Sequence, residues 1–288
     1  MAAFELEGLV KRFNDFQLGP VSLAVEPGTV LAYIGPNGAG KSTTMHCMMG
    51  LLRPDEGSVT IYGRPNDVNK PAWKHDVGYV GDQQPFYDHW SCEKNLRFLA
   101  QFYPTWSNDL VDHLVARFDL SLQGRVSELS TGNRVKLSLV AALAYRPKLL
   151  LLDEPTAGLD PVVRTELLDV LFDIVGDEDR AIFYSTHVLS DIERLADELA
   201  FVVNGQIRLR ADVETLRQSW RSLSFTQETA PGEVRAVVDQ RSEGSHHQMI
   251  TSDFETTSRH LSEIGIVEVE ENSMSINEIA VEILKSER

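Results

Sequence analysis

Eight consecutive residues, Gly35-Pro36-Asn37-Gly38-Ala39-Gly40-Lys41-Ser42, have the types and spacing of a loop that holds phosphate. The glycines let backbone N–H groups turn inward on one anion, and the N-terminus of a following helix adds partial positive charge. Lys41 is then placed to reach β- and γ-phosphates, and the Ser42 hydroxyl to hold Mg²⁺. The competing reading is a glycine-rich turn that holds nothing. A second chemical stretch is Lys148 to Pro155, four leucines followed by Asp153 and Glu154. Adjacent strand residues point to opposite faces, so the two carboxylates are expected to do different jobs. Asp153 suits a Mg²⁺ shell, and Glu154 suits a general base that polarises an attacking water. A structural ion pair is the alternative. Ser185-Thr186-His187 places a histidine after another apolar run, where it is either structural or functional.

These residues need elements that bring them to one edge. Thr29 to Ile34 reads as a buried strand before the loop, and Thr43 to Leu52 as the helix after it. Leu149 to Leu152 and Ala181 to Tyr184 read as fully buried strands of a parallel sheet, whose carboxyl ends are where ligands bind. Val77 to Val80 is another strand, and it runs into the polar stretch Gly81-Asp82-Gln83-Gln84 and the aromatics Phe86, Tyr87 and Trp90. Such polar side chains suit a metal or water near phosphates, or a solvated turn. Phe4 to Leu9, Val21 to Val25 and Ser58 to Tyr62 are further strands, with Pro20 and Pro27-Gly28 expected to mark turns. Phe13, between the first two, either stacks on a base or packs in the core.

Ser91 to Phe102 and Asn108 to Phe118 have helical apolar spacing and interrupt the strand–helix alternation, as an inserted helical subdomain would. Leu129-Ser130-Thr131-Gly132-Asn133 opens the helix Arg134 to Tyr145. Ser130 is there either an N-cap or part of a second anion site. Pro161 to Val175 is a helix capped by Asp160, with Leu167, Leu168, Leu171, Phe172 and Val175 expected inward. Leu199 to Val203 and Gln206 to Leu209 form a hairpin about Asn204-Gly205. From Ser219 the texture changes to short strands (Leu223 to Thr226, Val234 to Asp239, His247 to Thr251, Val267 to Glu270). The helices Phe254 to Ile264 and Ile276 to Lys285 accompany them, as in a small α+β module of split βαβ type. His246-His247 reads as a solvated turn.

Composition narrows the function classes. The chain has 288 residues, 42% hydrophobic, enough for a large core. Forty-three acidic against 27 basic residues give a net charge of −16, which repels nucleic-acid phosphates, so no nucleic-acid partner is expected. Two cysteines without metal-ligand spacing point to a reducing compartment. No basic-then-apolar leader opens the sequence, and no stretch approaches the ~20 apolar residues of a membrane span.

Taken together, these motifs resemble, in order, the nucleotide-binding subunit of an ATP-binding cassette (ABC) transporter, over Phe4 to about Leu216. Gly35 to Ser42 resembles Walker A, and Leu149 to Glu154 resembles Walker B with its catalytic glutamate. LSTGN, Leu129 to Asn133, is similar to the family signature LSGGQ, from which Thr131 and Asn133 depart. Ala157 to Asp160 resembles the D-loop, His187 the switch histidine, and Phe13 the A-loop aromatic. Alignment puts Asp82 at the Q-loop glutamine position, with Gln83 next to it. The resemblance implies an α/β fold: a P-loop NTPase with a RecA-like core, an antiparallel β subdomain, a helical subdomain about 86–133, and a C-terminal module at 219–288 after a cassette at 1–218. It implies ATP and Mg²⁺ as cofactors. Phe13, Gly35, Asn37, Gly38, Ala39, Gly40, Lys41, Ser42, Thr43, Ser130 and Gly132 would bind nucleotide. Ser42, Asp82, Gln83 and Asp153 would attend the metal, and Glu154, His187 and Lys41 the catalysis. The implied partners are a head-to-tail dimer mate and an integral-membrane subunit for export, at the cytoplasmic face of the cell membrane. A soluble ABC ATPase in a non-transport assembly is the alternative.

Overall fold

The structure is a computed structural model, and it describes residues 1–81, 85–175, 180–191, 193 and 195–285. Asp82 and Gln83 lie outside the described residues, so the Q-loop expectation stands where the sequence left it. The chain divides into two compact units, residues 1–196 with 202–208, and residues 197–201 with 209–288.

In the first unit, β1 (Phe4–Arg12) and β2 (Gln17–Val25) pair antiparallel. Phe4, Leu6, Leu9 and Val10 of β1 are buried, and so are Leu18, Val21, Leu23 and Val25 of β2. Gly8, at φ +57, sits at the register shift between Leu6 and Leu9, where a bulge needs a left-handed residue. Pro20 does not mark a turn as expected; it lies inside β2, an edge strand, where a missing N–H costs no ladder bond. After β3 (Val30–Ile34) and α1 (Lys41–Met48) come β4 (Glu56–Ile61) and β5 (Arg64–Pro65), giving a four-stranded sheet in the order β2-β1-β4-β5.

Next follow β6 (Val77–Val80), α2 (Cys92–Ala100), α3 (Asn108–Arg117), α4 (Thr131–Leu143), β7 (Leu149–Asp153), α5 (Pro161–Val175) and β8 (Ala181–Thr186). The hairpin strands β9 (Glu198–Val203) and β10 (Gln206–Asp212) turn through Asn204 and Gly205, both at positive φ as a primed turn requires. The second sheet runs β10-β9-β3-β8-β7-β6. Strands β3, β8, β7 and β6 are mutually parallel, and β3, β7 and β8 are buried along their whole length. Phe4 of the antiparallel sheet meets Phe183 of β8 edge-on at 5.2 Å, and Phe183 meets Tyr33 of β3 at 5.1 Å.

The helices start where their caps dictate. Ser91, Ser107 and Ser130 each accept a backbone N–H three residues on, at 3.2, 3.3 and 3.2 Å, and Asp160 takes those of Val162 and Val163 at 3.1 Å. On α5 the buried stripe is Leu167, Val170 and Leu171. Phe172, expected inward, is half exposed, because it lies about 100° round the helix from Leu171 and off that stripe.

The second unit contains α6 (Val213–Ser219), β11 (Arg221–Thr226), β12 (Val237–Glu243), β13 (His246–Thr251), α7 (Phe254–Glu263), β14 (Glu270–Ser273) and α8 (Ile276–Lys285). Its sheet runs β12-β13-β11-β14 with every adjacent pair antiparallel, so β13 and β14, joined through α7, run parallel with β11 between them, the split βαβ arrangement expected. Leu223, Phe225, Val234, Met249, Leu261 and Ile266 form its core. His247 is no solvated turn: it is buried on β13 and bonded to Ser242 Oγ at 2.8 Å and Gln227 O at 3.0 Å. Strand alternation carries it inward while its neighbour His246 stays exposed. Among the described residues no helix is long and apolar enough to cross a membrane.

Candidate functional site

The parallel order β3-β8-β7 sets three carboxyl ends side by side, and the chemistry-bearing residues follow those ends. After β3 the loop Gly35–Gly40 leads straight into α1. A side chain at Gly35 would place its Cβ 2.2 Å from the Val202 carbonyl oxygen. Gly40 is at φ +103, and a Cβ there would sit 2.8 Å from Leu18 Cδ1 and 3.1 Å from Phe16 Cζ. Only glycine fits such a position. Gly205 N–H donates to Ala39 O at 3.1 Å, tying the loop to the β9–β10 turn. Lys41 is buried, and its ammonium donates to Gly35 O at 2.8 Å and Pro36 O at 3.1 Å.

After β7 the two carboxylates separate as their adjacency suggested. Asp153 is buried and accepts from Ser185 Oγ at 2.6 Å, its direct neighbour in the β7–β8 register. Glu154 leaves the strand at φ +50, a left-handed conformation that a non-glycine residue adopts only when its surroundings hold it there. The holders are Ser185, whose carbonyl and hydroxyl oxygens accept Glu154 N–H at 3.2 and 3.1 Å. So turned, Glu154 pairs with Lys41, Oε1 to Nζ 2.9 Å. Its second oxygen lies 2.5 Å from His187 Nδ1, just past the end of β8.

A cavity of about 440 Å³ is lined by Phe13, Phe16, Asn37, Gly38, Gly40, Lys41, Ser42, Thr43 and Glu154. Phe13 is exposed, not packed in the core, and stacks on Phe16 with centroids 6.3 Å apart. Phe16 is the lining residue that sequence reasoning missed. Its signal was available: a Phe-x-x-Phe turn, closed by Phe13 N–H on Phe16 O at 2.8 Å, brings both rings to one side. Ser42 and Asp153 together border an adjoining cavity of about 690 Å³, whose walls include Phe86, Leu99 and Tyr103. A buried carboxylate beside a hydroxyl suits a hard cation that also binds phosphate oxygens. Among the described residues no cluster of three or more His, Cys, Asp or Glu could hold a metal by itself.

Ser130 and Gly132 do not join this group. The Ser130 hydroxyl caps α4, and Gly132 faces α5 so closely that a Cβ would lie 2.8 Å from Val163 Cγ1. Arg134, one turn on, pairs with Asp88 and donates to Val126 O at 3.4 Å.

Comparison with known proteins follows the same lines. The profile of the ABC transporter family matches residues 18–157. The ABC transporter ATP-binding protein YtrB of Bacillus subtilis (strain 168) is 32% identical over 227 residues, covering 78% of this chain and 77% of its own length. The bacitracin transport ATP-binding protein BcrA of Enterococcus faecalis is 28% identical over 286 residues, 98% of this chain and 88% of its own. A solved ATP-binding subunit of an ABC transporter superposes with a TM-score of 0.67 at 28% identity, over 75% of this chain and 92% of that one.

Proposed function

This chain belongs to the ABC transporter family as an ATP-binding subunit, and from that premise we propose that it hydrolyses Mg-ATP to drive export through a separate integral-membrane subunit. The observation that carries the reading is the convergence of Lys41, Glu154 and His187 at the edge of one phosphate-loop cavity. ATP is the substrate. Its phosphates take the loop N–H groups of residues 37–41, and its base takes the Phe13–Phe16 face. Phosphate oxygens compete with Glu154 for the Lys41 ammonium. Glu154, released on that side and still held by His187 on the other, accepts a proton from the attacking water. Magnesium, when bound by the Ser42 hydroxyl and Asp153, supplies charge neutralisation on the transferred group.

The second half of the site comes from another copy or a related cassette arranged head to tail. Ser130 and Gly132 at the α4 N-terminus then face the nucleotide bound by the first. The transport names of the relatives favour this over a soluble, non-transport assembly. The chain works at the cytoplasmic face of the cell membrane, docked on its membrane subunit. Purification of the tagged chain from detergent-solubilised membranes tests the proposal. It should bring an integral-membrane protein with it and turn over ATP only with Mg²⁺. Recovery without any membrane protein, with turnover unchanged, would return the reading to a soluble ATPase.

A further inference from the structure

Asp191 ends a short 3-10 turn, Leu189–Asp191, and stands four residues past His187. Its side chain is completely buried. A carboxylate taken out of water needs partners, and this one has them from three separate segments. Arg164, in the first turns of α5, donates Nε to Oδ1 at 2.5 Å and pairs with it through Nη2 as well. Thr156, two residues past Glu154, donates its hydroxyl to Oδ2. The Tyr184 phenol of β8 reaches the same oxygen at 3.3 Å and Thr156 Oγ1 at 3.1 Å. Burial pushes the Tyr184 phenol far up, so it keeps its proton. Arg164 also donates to Ser190 Oγ at 2.5 Å.

None of these groups lines the phosphate-loop cavity, yet the segments they tie together carry the reacting side chains. Thr156 belongs to the turn that starts at Glu154, closed by Ala157 N–H on Glu154 O at 3.1 Å. Tyr184 leads directly to His187, and Arg164 lies one turn beyond the Asp160 cap. Glu154 is itself in a left-handed conformation and depends on outside support. We propose that Asp191 is a positioning residue for ATP hydrolysis: it clamps the Glu154 turn, the His187 corner and the start of α5 so that Glu154 and His187 stay in contact. The inference rests on the ATPase reading above. It separates binding from turnover, because the residues that line the nucleotide cavity, Glu154 apart, lie outside the segments that this clamp ties together.

The test is steady-state Mg-ATP turnover by the full chain, with ATP affinity measured by calorimetry. Asp191→Asn keeps the shape and removes the charge. Its kcat should fall about 10- to 100-fold, the scale of a misplacement of ~1 Å, with KM and affinity changed by less than about twofold. Thr156→Val, which removes one hydroxyl, should lower kcat in the same direction by less. In a His187→Ala background, Asp191→Asn should cost much less than in the wild type, because the corner it positions has lost its side chain. Wild-type kcat in both single variants overturns the proposal. So does a KM that rises as far as kcat falls, or costs that multiply in the double variant. Should Asp191→Asn fail to fold, Thr156→Val decides alone: an unchanged kcat overturns the proposal, and a lowered kcat with unchanged KM supports it. Absence of turnover in the wild type overturns the ATPase reading itself, a result visible before any variant is compared.

Discussion

Glu154 pairs with the Lys41 ammonium on one oxygen and with the His187 imidazole on the other, so its substitution tests the chemistry proposed for the cavity. Glu154→Gln keeps the shape but loses the base. Its ATP turnover should fall by a factor of about 10² to 10⁴, while ATP affinity survives. Turnover near the wild-type rate would remove the base assignment. The aromatic pair makes the opposite prediction. Phe13 and Phe16 line the cavity from outside the phosphate loop, so Phe13→Ala and Phe16→Ala should weaken ATP affinity by about 1 kcal/mol, roughly fivefold, and leave kcat at saturation near its normal value. Guanosine and adenosine triphosphates should suffer alike, since stacking reads a ring face and not its edge pattern. An unchanged affinity in both variants would put the base elsewhere.

At the scale of elements, α2 and the loop before it carry an aromatic surface. Tyr87, half exposed, packs on Trp90 at 4.4 Å, both meet Phe98 edge-on, and Phe102 continues the line. The Lys94 ammonium lies 4.0 Å over the Trp90 ring. Part of this surface is wired to α4 and the turn before it. Asp88 O and Trp90 O accept N–H groups from Ser127 and Val126 at 3.0 and 3.1 Å, and Arg134 of α4 pairs with Asp88. Aromatic anchors of this kind dominate interfaces. Tyr87→Ala with Trp90→Ala should therefore reduce co-purification of the membrane subunit while ATP binding persists. Full recovery of the membrane partner by the double variant would count against a docking role.

The whole molecule decides whether one chain holds a complete site. Ser130 caps its own helix and stays outside the phosphate-loop cavity, so the role proposed for it in phosphoryl transfer requires that it act at the site of a second subunit. Lys41→Ala and Ser130→Arg should each be inactive alone. Mixed, they form dimers in which one site carries both lesions and the other carries neither. Hydrolysis or nucleotide trapping should then partly return. If neither returns in verified mixed dimers, Ser130 loses its assignment. Deletion of 219–288 asks a separate question of the second unit. Every residue that lines the cavity precedes it, so Mg-ATP should still raise the melting temperature of the shortened chain. Loss of that rise would make the module part of the catalytic core.

What the amino-acid sequence determined by itself was local. The loop Gly35–Ser42 is legible because its glycines, lysine and serine act within one turn of backbone, and Gly40 at φ +103 could be nothing else. Helix starts at Ser91, Ser130 and Asp160 were legible for the same reason: a cap and its N–H lie two or three residues apart. The four leucines before Asp153 announced a strand buried on both faces. What only the tertiary structure decided lies between distant segments. Lys41, Glu154 and His187 meet because β3, β8 and β7 lie side by side and parallel, an order that no spacing encodes. Phe13 became a cavity wall because Phe16 and Gly40 pack beside it. His247 went inward because strand alternation turns it to the packed face of β13, while Phe172 went outward because Leu167, Val170 and Leu171 already filled the buried stripe. Asp191 drew no notice in the sequence, since a single acid after a histidine has no pattern. Its partners at Thr156, Arg164 and Tyr184 exist only where three segments of the folded chain close on one buried charge.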